Sequence, residues 1–240
     1  MHGADSTYLR YQYSDSEKLR IRIQSHELYS ECKDQQDGFH AWVIRHLRLT
    51  PGQTLLDLGC GPGTYHQSLR PHGLNLIAVD ASLGMLHEAQ QQGREGHLSV
   101  RLVQADLQAL PLPDSIADCA MANHVLYHVP NQSQALSEMR RVVKPCGLIV
   151  ITTNASSSSR RLKDIHQWAA SEAGYTPIGT ADAALRYYAS GYVDQIAEWQ
   201  PGSSHAAQLL PLVRGRLEEI IAREGVFRDD KTVGCFVAPN

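Results

Sequence analysis

The chain of 240 residues lacks the features that mark several common protein classes. Basic and acidic residues are interspersed, the formal net charge is −3 and no arginine-rich run occurs, so nucleic acid is not an expected partner. No apolar stretch approaches the length of a membrane span, about 18 residues. The first residues are polar and form no apolar signal core, so we expect neither a membrane anchor nor a secretory signal.

Cysteine is scarce and scattered. The five cysteines form no C-x-x-C pair, and they are Cys32, Cys60, Cys119, Cys146 and Cys235. This pattern is typical of a protein kept reduced rather than of a disulfide framework, so we expect a cytoplasmic location. The sequence also lacks the G-x-S-x-G elbow of serine hydrolases and the H-E-x-x-H pattern of zinc proteases. We therefore expect no bound metal.

What the sequence does contain is a glycine-rich turn after an apolar run. Leu55–Leu58 is followed by Gly59, Gly61 and Gly63 at alternate positions. Such a run is typical of a strand covered on both faces in a parallel sheet. Glycine reaches φ > 0 and lets a ligand approach the main chain closely. The pattern predicts a ligand-binding turn at the carboxyl end of a strand, where open α/β sheets bind their ligands.

The spacing of the glycines separates two cofactor classes. Nicotinamide and flavin proteins need glycine at the first, third and sixth positions of the turn, and here the sixth is Thr64. An acid, Asp57, followed by Gly-x-Gly-x-Gly resembles the first motif of the class I S-adenosylmethionine (SAM) methyltransferases. The chain is most similar to the small-molecule branch of that family, the ubiquinone/menaquinone-biosynthesis type. The resemblance covers roughly residues 54–153, and the whole chain more loosely.

Later segments follow in the order that the resemblance requires. Strands are predicted over Asn75–Asp80, Val100–Leu107 and Asp114–Asn123, and a turn and strand over Val142–Ile151. Asp80 comes about twenty residues after the turn, where a carboxylate can accept hydrogen bonds from the ribose hydroxyls of an adenosine cofactor. Nicotinamide proteins share that acid, so Asp80 alone does not separate the two classes.

The resemblance implies SAM as the cofactor and a set of binding residues. In the family, the acid after the third strand receives the adenine amino group and the next residue covers the ring, which assigns these roles to Asp106 and Leu107. The expected cofactor-binding residues are Tyr13, Asp57, Gly59, Cys60, Gly61, Gly63, Asp80, Ala81, Met85, Ala105, Asp106, Leu107, Asn123 and His124.

The expected fold is α/β, with a Rossmann-like, doubly wound, mostly parallel sheet in a single domain over residues 1–240. An N-terminal helical cap covers 1–50, the cofactor-binding core 54–153, and C-terminal helices with a last strand 154–240. Ser14 and Glu17 form a capping box that opens a helix to about Ser30.

Four more helices and a final strand are expected. Helices are predicted over about Asp37–Leu49, over Leu83 to about Gln92 behind the cap Ser82, over Arg160–Ala173 and over Pro211–Arg223, with proline in the last helix's first turn. A last strand covers Thr232–Ala238. Residues 174–199 show no clear strand, although the family has one there, so the C-terminal part is shortened or rebuilt.

The candidate catalytic residues are histidines. SAM carries an activated methyl group, so the enzyme mainly holds an acceptor in line with it, and a base is needed only if the acceptor carries a proton. His124 and His128 follow the fourth strand, and His26 lies on the first helix. Histidine titrates near neutrality, which suits this task, but a histidine here can equally pack or contact the cofactor. Tyr13 can close the cleft or simply pack.

The leading hypothesis is a SAM-dependent methyltransferase. It transfers a methyl group in line to an O or N atom of a small-molecule acceptor, or to an activated carbon. Two alternatives stay open: a non-catalytic SAM-binding regulator or scaffold, and an NAD-dependent oxidoreductase. The sequence does not indicate the oligomeric state.

Overall fold

The computed structural model describes residues 11, 13, 17–29, 38–96, 99–155, 159–173, 193, 200, 202–229 and 233–240. Residue contacts divide the chain into two compact units. The sheet unit comprises Gly3–Ser16, Cys32–Thr153 and Val233–Asn240, and the helical unit comprises Met1–His2, Glu17–Glu31 and Asn154–Thr232. The single domain over 1–240 stays a prediction.

The described residues form seven α-helices and six strands. The helices are α1 (Glu17–Tyr29), α2 (Gly38–Leu47), α3 (His66–Leu69), α4 (Leu83–Glu95), α5 (Gln132–Val142), α6 (Arg160–Ala173) and α7 (His205–Glu224). The strands are β1 (Thr54–Leu58), β2 (Asn75–Asp80), β3 (Val100–Gln104), β4 (Ala117–Asn123), β5 (Val143–Asn154) and β6 (Val233–Pro239).

The strands form one sheet with the order β3-β2-β1-β4-β5-β6. The pairs β1–β2, β1–β4, β2–β3 and β4–β5 are parallel. The chain therefore winds outward from β1 to β3 and then in the other direction from β4. Ligands bind such sheets at the carboxyl ends of the strands, beside the point where the winding reverses. That point lies between β1 and β4, beside the glycine-rich turn that follows β1.

Both faces of the sheet are covered. Leu55 packs with Val43, Ile44 and Leu47 of α2, and all four are buried. Its neighbour Leu56 packs on the opposite face in the cluster that contains Met139 of α5. Successive residues of a strand point to opposite faces, so an uninterrupted apolar run is what a doubly covered strand requires. The predicted α/β fold is confirmed, and α2 packs on one face of the sheet.

Three predicted strand boundaries are wrong. The third strand ends at Gln104 rather than Leu107. The fourth strand begins at Ala117 rather than Asp114, because Ser115 has φ +52° and donates its N–H to Arg141 O, which turns the chain before the strand starts. The fifth strand begins at Val143 and runs to Asn154, so the predicted turn lies inside it as an irregular stretch with Cys146 at φ +65°. A Cβ at Gly147 would lie 2.7 Å from Asp118 O, which explains the glycine there.

The helical unit contains the packed pair α6 and α7. Asp229 accepts hydrogen bonds from the Arg161 and Leu162 N–H groups, so it caps the start of α6 from a distant part of the chain. The start predicted for the last helix is wrong, because α7 begins at His205 and Pro211 lies inside it. The preceding segment consists of good helix formers, and its Leu209 is fully buried, which compensates for the hydrogen bond that proline cannot donate.

Candidate functional site

The glycine-rich turn is held by backbone bonds to the neighbouring strand. Gly59 and Cys60 both donate their N–H groups to Val79 O, at 2.7 and 3.0 Å. Gly59, Gly61 and Gly63 have φ values of +74°, +54° and +83°, which only glycine adopts readily. The predicted conformation of the turn is therefore present at the carboxyl end of β1.

Two of the glycines are needed for a reason that the sequence did not reveal. A Cβ at Gly59 would lie 2.4 Å from Val125 Cγ2, and a Cβ at Gly63 would lie 2.5 Å from His66 Nδ1. The Cα atoms at these two positions face side chains of the protein itself. Close approach of a ligand, which we expected to explain all three glycines, is thus not what requires glycine at 59 and 63.

Asp80 is the acid at the centre of the site. Its Oδ2 accepts the Gly61 N–H and its Oδ1 accepts the Ser82 N–H, both at 2.8 Å. Burial raises the pKa of this carboxyl, and the two backbone bonds act against that rise. Ser82 also caps α4, as predicted, because its hydroxyl accepts the Met85 N–H at 3.3 Å. Met85 itself is 1% exposed and packs in the interior.

The loop after β3 carries the second acid. Asp106 Oδ1 accepts the Gln108 N–H at 2.9 Å, and Gln108 Nε2 lies 3.0 and 2.9 Å from the two carboxylate oxygens. Gln108 Oε1 in turn accepts the Asn131 N–H. Ala105 donates its N–H to Asp80 O, which joins the two acidic loops. Gln108 was not among the predicted residues, and its position two residues after the acid is the pattern that could have indicated it.

The other predicted cofactor residues lie at the same edge. Ala81 O accepts a bond from Gln104 Nε2, and Leu107 is buried. Asn123 Oδ1 accepts the Thr152 hydroxyl at 2.9 Å, which orients the amide at the end of β4. His124 has φ +53°, donates its N–H to Thr152 O, and stacks its ring on Phe39 at 5.6 Å between centroids.

His128 lies in a 3₁₀ turn, Leu126–His128, beyond β4. Its Nε2 is 2.8 Å from Tyr13 Oη, and the two rings meet edge to face at 5.3 Å. Tyr13 O accepts the Ser82 hydroxyl at 3.0 Å, so the segment with Tyr13 is tied to the loop after Asp80. The structure thus joins Tyr13, Ser82 and His128, which lie far apart in the sequence.

Asp57 lies beneath the turn rather than in an open cleft. It is 2% exposed, and its Oδ2 is 3.5 Å from Nε2 of the equally buried His66. Cys60 is also buried, and burial together with the charges of Asp57 and Asp80 raises the pKa of its thiol. A neutral, buried thiol suits a packing role.

Two expectations concern residues or groups beyond this edge. His26 lies on α1, and its side chain is outside the described residues. In the part of the chain that the structure describes, no three His, Cys, Asp or Glu side chains are grouped as a metal site would require. None of the described helices has the length and apolar character needed to cross a membrane.

These residues fit an adenosine cofactor. The half-buried Asp80 carboxylate suits ribose hydroxyls, and the buried Leu107 follows directly on Asp106, in the order that the resemblance implies for adenine. The turn at the β1–β4 boundary supplies the backbone concavity at which doubly wound sheets bind such ligands.

Comparisons with known proteins agree with this fold. Residues 56–151 match the family model described as "Methyltransferase domain". The chain is 40% identical over 114 residues to a malonyl-[acyl-carrier protein] O-methyltransferase of Pseudescherichia vulneris, covering 48% of this chain and 43% of that protein. It is 34% identical over 143 residues to the enzyme of the same name from Serratia marcescens, covering 57% and 54%. The chain spans about half the length of these curated relatives.

Two solved structures share the fold along most of the chain. The [4+2]-cyclase SpnF aligns with a TM-score of 0.58 at 19% identity, over 97% of this chain and 96% of its own. A putative sarcosine dimethylglycine methyltransferase from Galdieria sulphuraria aligns with a TM-score of 0.52 at 16% identity, over 83% and 84%. The matched model identifies a methyltransferase domain over residues 56–151, and the sheet order and the acid and glycine turn of this domain are those of the class I SAM-dependent methyltransferases, whose cofactor is SAM.

Proposed function

We propose that this protein transfers a methyl group from SAM to an oxygen or nitrogen atom of a small molecule, with His128 as the base. The observation that carries this proposal is the 2.8 Å contact between Tyr13 Oη and His128 Nε2 at the carboxyl edge of the sheet. An oriented histidine is of use to a transferase whose acceptor carries a proton. The cofactor supplies an activated methyl group when it is bound.

The chain's own residues account for orientation and proton removal. His128 in the tautomer that donates Nε2–H to Tyr13 Oη has its lone pair on Nδ1, which can accept the acceptor's proton. Asp80 and the glycine-rich turn would hold SAM, which would give its methyl group to the acceptor atom and leave as the uncharged thioether, while the acceptor's proton would pass to His128. Tyr13 holds the imidazole, and Ser82 holds the backbone of Tyr13 at 3.0 Å.

A second candidate acceptor is a carboxylate. The relatives named above are O-methyltransferases of malonyl-[acyl-carrier protein], and their identity to this chain supports O-methylation of a carboxyl group here. A carboxylate has no proton at neutral pH, so such a reaction needs no base. The role of His128 therefore separates the two acceptor classes.

Labelled-methyl transfer to a panel of phenols, amines and carboxylic acids tests both candidates. With a hydroxyl or amine acceptor, His128→Asn should lower the rate by roughly 10²–10⁴-fold with little change in SAM affinity. The exposed His87 on α4 provides the control, because His87→Asn should leave the rate unchanged. Carboxylate methylation unaffected by His128→Asn would reject the base and favour the second candidate. SAM binding with no transfer to any acceptor would favour the non-catalytic alternative.

A further inference from the structure

A cavity of about 290 Å³ lies at the amino edge of the sheet, opposite the edge that carries the glycine-rich turn. One wall is the end of α2, which leads into the start of β1, and the other is the segment up to the 3₁₀ turn Arg70–His72, which leads into the start of β2. Since β1 and β2 are parallel, they begin at the same edge of the sheet. The cavity is therefore separate from the site described above.

The polar lining of this cavity is basic. It consists of the side chains of Arg45, Arg48, Ser68 and His72, and none of the described lining residues is acidic. The surrounding sequence has the same bias, because residues 38–79 contain a single acid, Asp57, which is buried on β1 against His66. The lining thus offers positive charge and no negative charge, which suits an anion.

Three of the polar lining groups have no partner in the protein. Within the described part of the chain, the side chains of Arg48, Ser68 and His72 form no hydrogen bond and no ion pair. The guanidinium presents several N–H donors in one plane, the hydroxyl one donor and the imidazole one or two. Hydrogen-bond donors without a protein acceptor therefore line one cavity.

Arg48 also occupies a backbone conformation that favours glycine. Its φ is +49°, and it follows directly on Leu47, the last residue of α2. Glycine is the usual residue at such a helix end, because a Cβ raises the free energy of the left-handed conformation. The stability of the turn does not explain an arginine at this position, whereas use of its guanidinium does.

We propose that this cavity binds the phosphate group of a small phosphomonoester. A phosphate has three acceptor oxygens and about two negative charges near neutral pH, so it can use Arg48, Ser68 and His72 together, whereas one arginine satisfies a carboxylate. The organic part of the ester contacts the apolar lining residues Ile44 and Leu49. The volume agrees with a small ligand, because small-molecule sites begin at about 300 Å³.

Calorimetric titration of the full chain with n-butyl phosphate, inorganic phosphate and n-butanol at pH 7 tests the inference. Butyl phosphate should bind, inorganic phosphate should bind more weakly because it lacks the apolar contact, and butanol should not bind. Arg48→Gln removes the charge and should weaken the binding of butyl phosphate by roughly 10–100-fold. The matched control is Arg94→Gln, at the exposed end of α4, which should bind like the unmodified chain.

A second variant separates ligand binding from folding. Glycine adopts the φ of +49° readily, so Arg48→Gly should unfold at about the same denaturant concentration as the unmodified chain while it loses the binding of butyl phosphate. Retained binding in Arg48→Gln or in Arg48→Gly would overturn the inference.

NMR and competition with SAM locate the bound phosphate. The imidazole signals of His72 should shift when butyl phosphate is added, and those of the exposed His87 on α4 should not. Competition between butyl phosphate and SAM would place the phosphate at the glycine-rich turn, and this result or the absence of binding at millimolar concentration overturns the inference. These outcomes leave methyl transfer intact, whereas a chain that binds butyl phosphate but not SAM contradicts the proposed function alone.

Discussion

The two sides of the carboxyl edge are built in different ways. On the side of β1 and β2, backbone groups fix the site: Gly59 and Cys60 donate to Val79 O, and Asp80 accepts two backbone N–H groups. On the side of β4, side chains fix it: His128 is held by Tyr13, 115 residues away. The first side suits a constant cofactor, whereas the second can change with the acceptor without disturbing the sheet.

The largest effect is expected where the backbone side is most closely packed. Gly59→Ala adds a Cβ 2.4 Å from Val125 Cγ2 at a φ of +74°, and it should lower the free energy of unfolding by about 3 kcal/mol. Denaturant titration measures this. Gly52→Ala is the matched control, because its φ is +84° and no atom lies within 4 Å of the added Cβ. Equal losses in the two variants would mean that Val125 does not restrict position 59.

The next effect concerns the half-buried acid Asp80. Asp80→Asn retains the shape but loses the charge and one of two acceptor oxygens, so SAM affinity should fall by roughly 10–100-fold. Calorimetry with SAM measures the loss. Glu95→Gln, at the exposed end of α4, should leave the affinity unchanged. Unchanged affinity in Asp80→Asn would place the ribose elsewhere.

A smaller effect is expected on the side of β4, where side chains fix the site. Tyr13→Phe removes the hydroxyl that touches His128 Nε2, so kcat should fall by about fivefold, as for one hydrogen bond, while KM for SAM stays nearly constant. The exposed Tyr11 offers the control variant Tyr11→Phe. If KM for SAM rises while kcat stays constant, Tyr13 contacts the cofactor and does not orient His128.

The smallest effect concerns the loop between β3 and β4. Glu138 accepts the Leu110 N–H and bonds to Arg141, which lowers the pKa of its carboxyl. Because the pKa of Glu138 is lower in the folded chain than in the unfolded chain, its ionised form stabilises the fold at pH values above the unfolded pKa. That contribution disappears as the pH falls through the folded pKa. In the native chain, the free energy of unfolding should be lower at pH 3.5 than at pH 7, with about 1 kcal/mol of the difference due to Glu138. Glu138→Gln should lack this part of the loss. The same acid sensitivity in both would contradict this assignment.

Sequence alone predicted the backbone side better than the side-chain side. The run of Leu55 to Leu58, the glycine positions and the spacing to Asp80 are local patterns, and each restricts the backbone directly. The contact between Tyr13 and His128 depends on a fold that brings distant segments together, so no spacing rule indicates it. The roles of Val125 and His66 were missed for the same reason, because a glycine shows that space is needed but not which atom fills it.

The close contacts at Gly59 and Gly63 also predict which positions of the sequence change together during evolution. Position 59 faces residue 125, and position 63 faces residue 66, so neither glycine can change independently of its partner. Among relatives of this chain, a side chain larger than hydrogen at 59 should coincide with a residue smaller than valine at 125. Histidine at 66 should occur only together with glycine at 63. The turn would then evolve as two coupled pairs of positions.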